Sequence, residues 1–77
     1  MPGPVKRSVT IAGHETSISL EPVFWEELRR AAKGARLPIN ALIAQIDAAR
    51  IEAVDPPNLA SAIRVRLMER AIGKIPG

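Results

Sequence analysis

Two short runs of alternating apolar and polar residues near the start of this chain are out of phase, and that offset limits the folds open to it. Val9 and Ile11 alternate with Ser8 and Thr10, while Ile18 and Leu20 alternate with Ser17 and Ser19. Successive side chains of a strand point to opposite faces, so one unbroken strand would send the odd pair and the even pair to opposite sides. A turn or bulge at Gly13 removes the conflict, and glycine's tolerance of positive φ suits that position. A short lone strand leaves its own N–H and C=O groups unpaired. Either residues 9–11 fold back on residues 16–20, or residues 16–20 pair with the same strand of a second chain about a two-fold axis. Pairing in trans is preferred here, because a dimer also gives the following helices a shared core. Whether residues 9–11 form an extra strand stays open.

Behind the strand, the periodicity changes to that of helices. Glu21-Pro22 opens the first, with proline in the first turn where its missing N–H costs nothing. Phe24, Leu28, Ala31 and Ala35 form an apolar line, which Trp25 and Ala32 widen. Arg29, Arg30 and Lys33 read as a solvated face interleaved with Glu26 and Glu27. Gly34 and Arg36 to Pro38 interrupt the helix, since a residue before proline is biased away from that conformation. Pro38 starts a second helix with Ile39, Leu42, Ile43 and Ile46 on its apolar face, running to about Arg50 or Glu52. Asp55-Pro56-Pro57 breaks the chain again, and Asn58 is a good N-cap for a third helix over about residues 58–73. That helix carries Ile63, Val65, Leu67, Met68 and Ile72, a broader apolar surface than one packing face needs. Ile75-Pro76-Gly77 is expected to fray. Residues 1–7, with two prolines and a glycine, read as a flexible arm, and residues 8–77 as a single domain.

Seventy-seven residues make a marginal core: a chain of this size buries only about 60% of its unfolded surface. It holds no cysteine and therefore no disulfide framework or thiolate zinc site. A second copy of the chain is the expected extra source of stability. No apolar run approaches the roughly 18 residues of a membrane span, and the charged start has no apolar stretch behind it, so it is not read as a secretory signal. The expected compartment is the cytoplasm. The net charge is +3, spread as +1 over each of residues 1–20, 21–50 and 51–77, so no region is a basic block.

Catalytic chemistry has little support. His14 is the only histidine, and its neighbour Glu15 does not supply a nucleophile or a third group. One histidine with scattered carboxylates defines no metal site, and no phosphate-cradling glycine loop is present. No enzyme activity, cofactor or metal is expected.

The stretch HETSISLEPVFWEELRRAAKGARLPINALIAQI, His14 to Ile46, resembles the ribbon-helix-helix family of bacterial DNA-binding proteins, of the MetJ and Arc type. It is most similar to a small group with a lead-in like Lys6–His14 and a tail like Asn58–Arg64. The resemblance implies a mostly α fold with one short strand per chain, paired in trans in an intertwined homodimer, plus a third helix. It implies that the strand ribbon enters the DNA major groove and that the second helix points its N-terminus at a phosphate.

Transferred residue by residue, the dimer core would be Ile18, Leu20, Phe24, Leu28, Leu42, Ile43 and Ile46. Glu15, Ser17 and Ser19 would face outward to the bases, since short hydroxyls can donate to or accept from base edges. The amides of Ile39 and Asn40 would hold a phosphate, with Lys6, Arg7 and Arg36 adding charge. Two residues depart from the family's pattern. Pro38 stands where many members carry serine or threonine, and Glu15 where arginine often follows the histidine. The implied function is sequence-specific binding of double-stranded DNA by a transcriptional regulator. The rival is an antitoxin-like or adaptor module whose third helix docks a partner protein. The even charge, Glu15 and Pro38 favour that rival, while the serine-rich ribbon and the basic start favour DNA.

Overall fold

The computed structural model describes residues 2–74; Met1 and the segment Ile75-Pro76-Gly77, expected to fray, lie outside the described residues. Two strands, β1 (Val5–Ile11) and β2 (His14–Leu20), precede three helices, α1 (Pro22–Gly34), α2 (Ile39–Ile51) and α3 (Leu59–Ala71). The strands pair with each other, antiparallel, from Val5↔Leu20 to Ile11↔His14.

The strand pairing corrects one expectation. Residues 9–11 do form a strand, and it pairs with one edge of residues 16–20 within the same chain, so β2 is not a lone strand. The physical reason lies in the turn. Ala12 and Gly13 both have positive φ, 51° and 83°, the left-handed pair that a two-residue hairpin turn needs to match strand twist. Closing so short a loop costs far less entropy than recruiting another chain. The turn also resolves the phase conflict, because it places Val9 and Ile11 on the same face as Ile18 and Leu20.

Part of the segment expected as a flexible arm is strand as well. Val5, Lys6 and Arg7 belong to β1, opposite Leu20, Ser19 and Ile18. Val5 and Arg7 continue the helix-facing alternation, and the indole Nε1 of Trp25 donates to the Val5 carbonyl at 2.9 Å.

One face of the hairpin packs on the helices, α2 against β1 and both α1 and α3 against β2. Leu20, Leu28, Ile43 and Ile63, one from β2 and one from each helix, are 0% exposed. Each such burial stabilises the chain by about 1.5–3 kcal/mol. Six of the seven residues expected in a dimer core, Ile18, Leu20, Leu28, Leu42, Ile43 and Ile46, are thus buried within a single chain. Phe24 is the exception and is only half-buried. Trp25 takes the core position instead, because it shares a helical line with Leu28 and Ala32, all three buried.

The helix ends follow local chemistry. Asn58 caps α3 as expected, its side chain accepting from the Ser61 amide at 2.8 Å. Arg50 donates to Asp47 and to the Pro57 carbonyl, tying the end of α2 to the loop before α3. α1 ends at Gly34, within the expected break, and the chain turns at Arg36. There Leu37 N–H bonds to the Ala32 carbonyl and Arg36 N–H to that of Lys33, with Arg36 at φ 58°. α3 ends in the same arrangement, Lys74 to Glu69 and Gly73 to Arg70, but with glycine at the positive-φ position.

Candidate nucleic-acid interface

The register of the hairpin sorts its side chains. Lys6↔Ser19, Ser8↔Ser17 and Thr10↔Glu15 are cross-strand pairs, so these six share the face turned away from the helices. All six are exposed, and none is apolar. Glu15, Ser17 and Ser19 therefore stand where the sequence places them. Lys6 stands beside them, fixed in a strand rather than carried on an arm. Ser8 and Thr10 are additions that sequence reading missed, because they join this surface only once β1 pairs in cis.

In a two-residue hairpin the pair flanking the turn is hydrogen-bonded and bonded pairs alternate from there. Ile11↔His14, Val9↔Thr16 and Arg7↔Ile18 are then bonded pairs, and the main-chain groups of Glu15, Ser17 and Ser19 point out along the free edge of β2. Arg64 reaches one of them: its Nη2 donates to the Ser19 carbonyl at 3.5 Å, and its Nε and Nη2 to Glu21 Oε1 at 3.0 and 2.9 Å. The Arg64 guanidinium also lies over the Phe24 ring, 5.6 Å from its centroid. The Glu21 carboxyl is held below its ordinary range, first by a main-chain hydrogen bond at Glu21 and then by Arg64.

Beside the other edge, a cavity of about 250 Å³ opens between β1, α1 and the start of α2. Arg7, Ser8, Val9, Trp25, Arg29, Ile39 and Asn40 line it. α2 has Pro38 as its N-cap, with no side-chain cap; Ala41 and Leu42 N–H both bond to the Pro38 carbonyl. The amides of Ile39 and Asn40, at the positive end of the helix dipole, have no such intrahelical acceptor. Because Pro38 sits just outside the helix, its missing N–H removes no donor from the first turn.

Three of the five residues expected at phosphate thus line one cavity: Arg7, Ile39 and Asn40. Lys6 lies on the neighbouring outer face, and Arg36 does not line the cavity but holds the turn before α2. Arg29 reads in the sequence as one of a solvated row, and its place at the cavity follows from packing that periodicity alone does not reveal. Among the described residues, no group of three His, Cys, Asp or Glu side chains could hold a metal ion. No helix among them is long and apolar enough to cross a membrane.

A family model described as the ribbon-helix-helix domain matches residues 4–71, which takes in the hairpin and all three helices. The chain belongs to the ribbon-helix-helix family. Ribbon-helix-helix domains are DNA-binding transcription regulators rather than enzymes, and they typically form homodimers. Comparison with curated proteins and with solved structures gives no match. Within the ribbon-helix-helix fold, the polar face of the hairpin and the open start of α2 both present hydrogen-bond donors to solvent.

Proposed function

We propose that this chain is a cytoplasmic bacterial transcription regulator that binds double-stranded DNA sequence-specifically as a homodimer. The observation that carries the reading is the composition of the outer hairpin face: Lys6, Ser8, Thr10, Glu15, Ser17 and Ser19, with no apolar residue among them. A two-stranded ribbon fits the roughly 12 Å major groove, where hydroxyls can read base edges and a carboxylate can accept from cytosine N4. Glu15, Ser17 and Ser19 contact bases. Arg7, the Ile39 and Asn40 amides and Arg29 hold a phosphate beside the groove, while Lys6 and Arg36 add charge along the backbone.

The homodimer forms along the free edge of β2, whose outward main-chain groups suit an antiparallel copy of the same strand. Since the core is closed within one chain, this is an edge-to-edge pairing rather than an exchange of core residues. Selection of bound duplexes from a random pool, followed by titration of the winning and a random duplex, tests the function. Preference for the selected duplex supports it; equal weak retention of both contradicts it.

A second reading keeps a specific observation of its own. Val65 and Met68 lie exposed on α3 and Ile72 at its C-cap, while Ile63 and Leu67 of the same helix enter the core. An antitoxin-like module would dock a partner protein there. It is favoured if no duplex is selected and replacing Met68 by Glu abolishes a partner interaction without unfolding the chain.

A further inference from the structure

We infer that Trp25 is a positioning residue for DNA binding: it presents Arg7 to the phosphate backbone. The inference rests on the DNA reading above and adds to it a role for a residue otherwise counted as core. Trp25 is 2% exposed, so most of its surface packs inside the chain. Two contacts go the other way, toward β1. Its Nε1 donates to the Val5 carbonyl at 2.9 Å, which anchors the first half of the strand to α1. Its ring carries the Arg7 guanidinium, 5.5 Å from the centroid.

A guanidinium held over a ring is attracted by the ring's charge distribution and commits none of its N–H groups to an acceptor, unlike an ion pair, which consumes them. Among the described residues, the Arg7 side chain makes this ring contact and no hydrogen bond. It is exposed, and it lines the cavity together with Arg29, Ile39 and Asn40. An arginine on an unanchored arm would lose rotamer and backbone freedom on meeting a phosphate; one already held over a ring and already in a strand loses less. Arg30 shows the alternative on the same protein, its Nη1 committed to Glu27 at 3.1 Å.

The test is a double-mutant cycle on the full chain, read as affinity for one duplex across a salt series. Arg7→Ala should flatten the slope of log affinity against log salt by about 0.9 for each phosphate it no longer neutralises. Trp25→Leu leaves the arginine in the chain, yet it should flatten the slope in the same direction and weaken binding about two- to fivefold per subunit. In the Arg7→Ala background, Trp25→Leu should have no further effect on the slope.

If circular dichroism shows Trp25→Leu unfolded, Trp25→Phe takes its place in the cycle. That variant keeps a ring but loses the Val5 hydrogen bond, and its loss should again vanish without Arg7. In the free protein, the Arg7 side-chain protons should show an upfield ring-current shift that Trp25→Leu abolishes or, where that variant is unfolded, Trp25→Phe reduces. Equal losses with and without Arg7 would mean that Trp25 is only structural, which overturns the inference and leaves the DNA reading standing. A wild-type chain that binds no duplex overturns both.

Discussion

The two faces of one hairpin carry opposite chemistry. Toward the helices, Val9, Ile18 and Leu20 are buried; away from them, Lys6, Ser8, Thr10, Glu15, Ser17 and Ser19 are exposed. Adjacent residues of β2 therefore answer to different demands. Ile18 is constrained by packing in the core, and Ser17 is exposed. A face that is exposed throughout and presents five hydrogen-bonding side chains and one cation is available for recognition outside the chain.

That contrast breaks most visibly at Ile18. Ile18→Asp buries a carboxylate without a partner and should cost about 4 kcal/mol, much of the stability of a domain this small. A thermal melt followed by circular dichroism should show loss of the folded baseline near room temperature. One residue away, Ser17→Ala should leave the melting temperature almost unchanged, yet weaken the preferred duplex by about 1–3 kcal/mol and a random duplex hardly at all. Fluorescence anisotropy on the two duplexes measures the difference.

The contrast also depends on the hairpin closing within one chain, and the turn offers a way to sharpen that. Ala12 holds a left-handed conformation that an alanine side chain disfavours. Ala12→Asn should raise stability by about 1 kcal/mol, because asparagine tolerates that region. Urea denaturation would measure the gain, and no gain would argue against the cis hairpin.

A smaller effect lies where β2 hands over to α1. The Glu21 carboxyl sits below its ordinary value of 4.5, owing to the main-chain bond and then to Arg64. A depressed carboxyl contributes stability that is complete above its ordinary value and is lost as pH falls through the lowered one. Acid titration of Glu21→Gln beside the wild-type chain should remove that part of the pH dependence and leave neutral-pH folding almost intact.

The three helices were legible in the sequence because proline, asparagine and apolar period mark them without help from tertiary contacts. Pro22, Pro38 and Asn58 stand where the helices begin. The phase break at Gly13 likewise announced a turn. Pairing in cis was less legible, since a turn and a dimer both satisfy a lone strand and only their relative cost decides. Arg7 hid the strand further. A cation at a helix-facing position looks like an arm until Trp25 supplies an aromatic surface for it. The outer face was half legible: β2 showed its serines by alternation, while Ser8 and Thr10 needed the register. Arg29 and the cavity needed the packing of α1 against β1 and α2, which no local pattern encodes.

The central claim, that the polar hairpin face meets DNA, is tested most directly by a salt titration of Glu15→Arg and Lys6→Ala on matched preferred and random duplexes. Replacing an acid by a base on a face turned to phosphate should tighten both duplexes and steepen the salt slope by about 0.9 for each phosphate newly neutralised. Removing Lys6 should weaken both alike and flatten the slope by a similar amount. Affinities and slopes unchanged in both variants would contradict the claim, because that face would then lie away from the DNA.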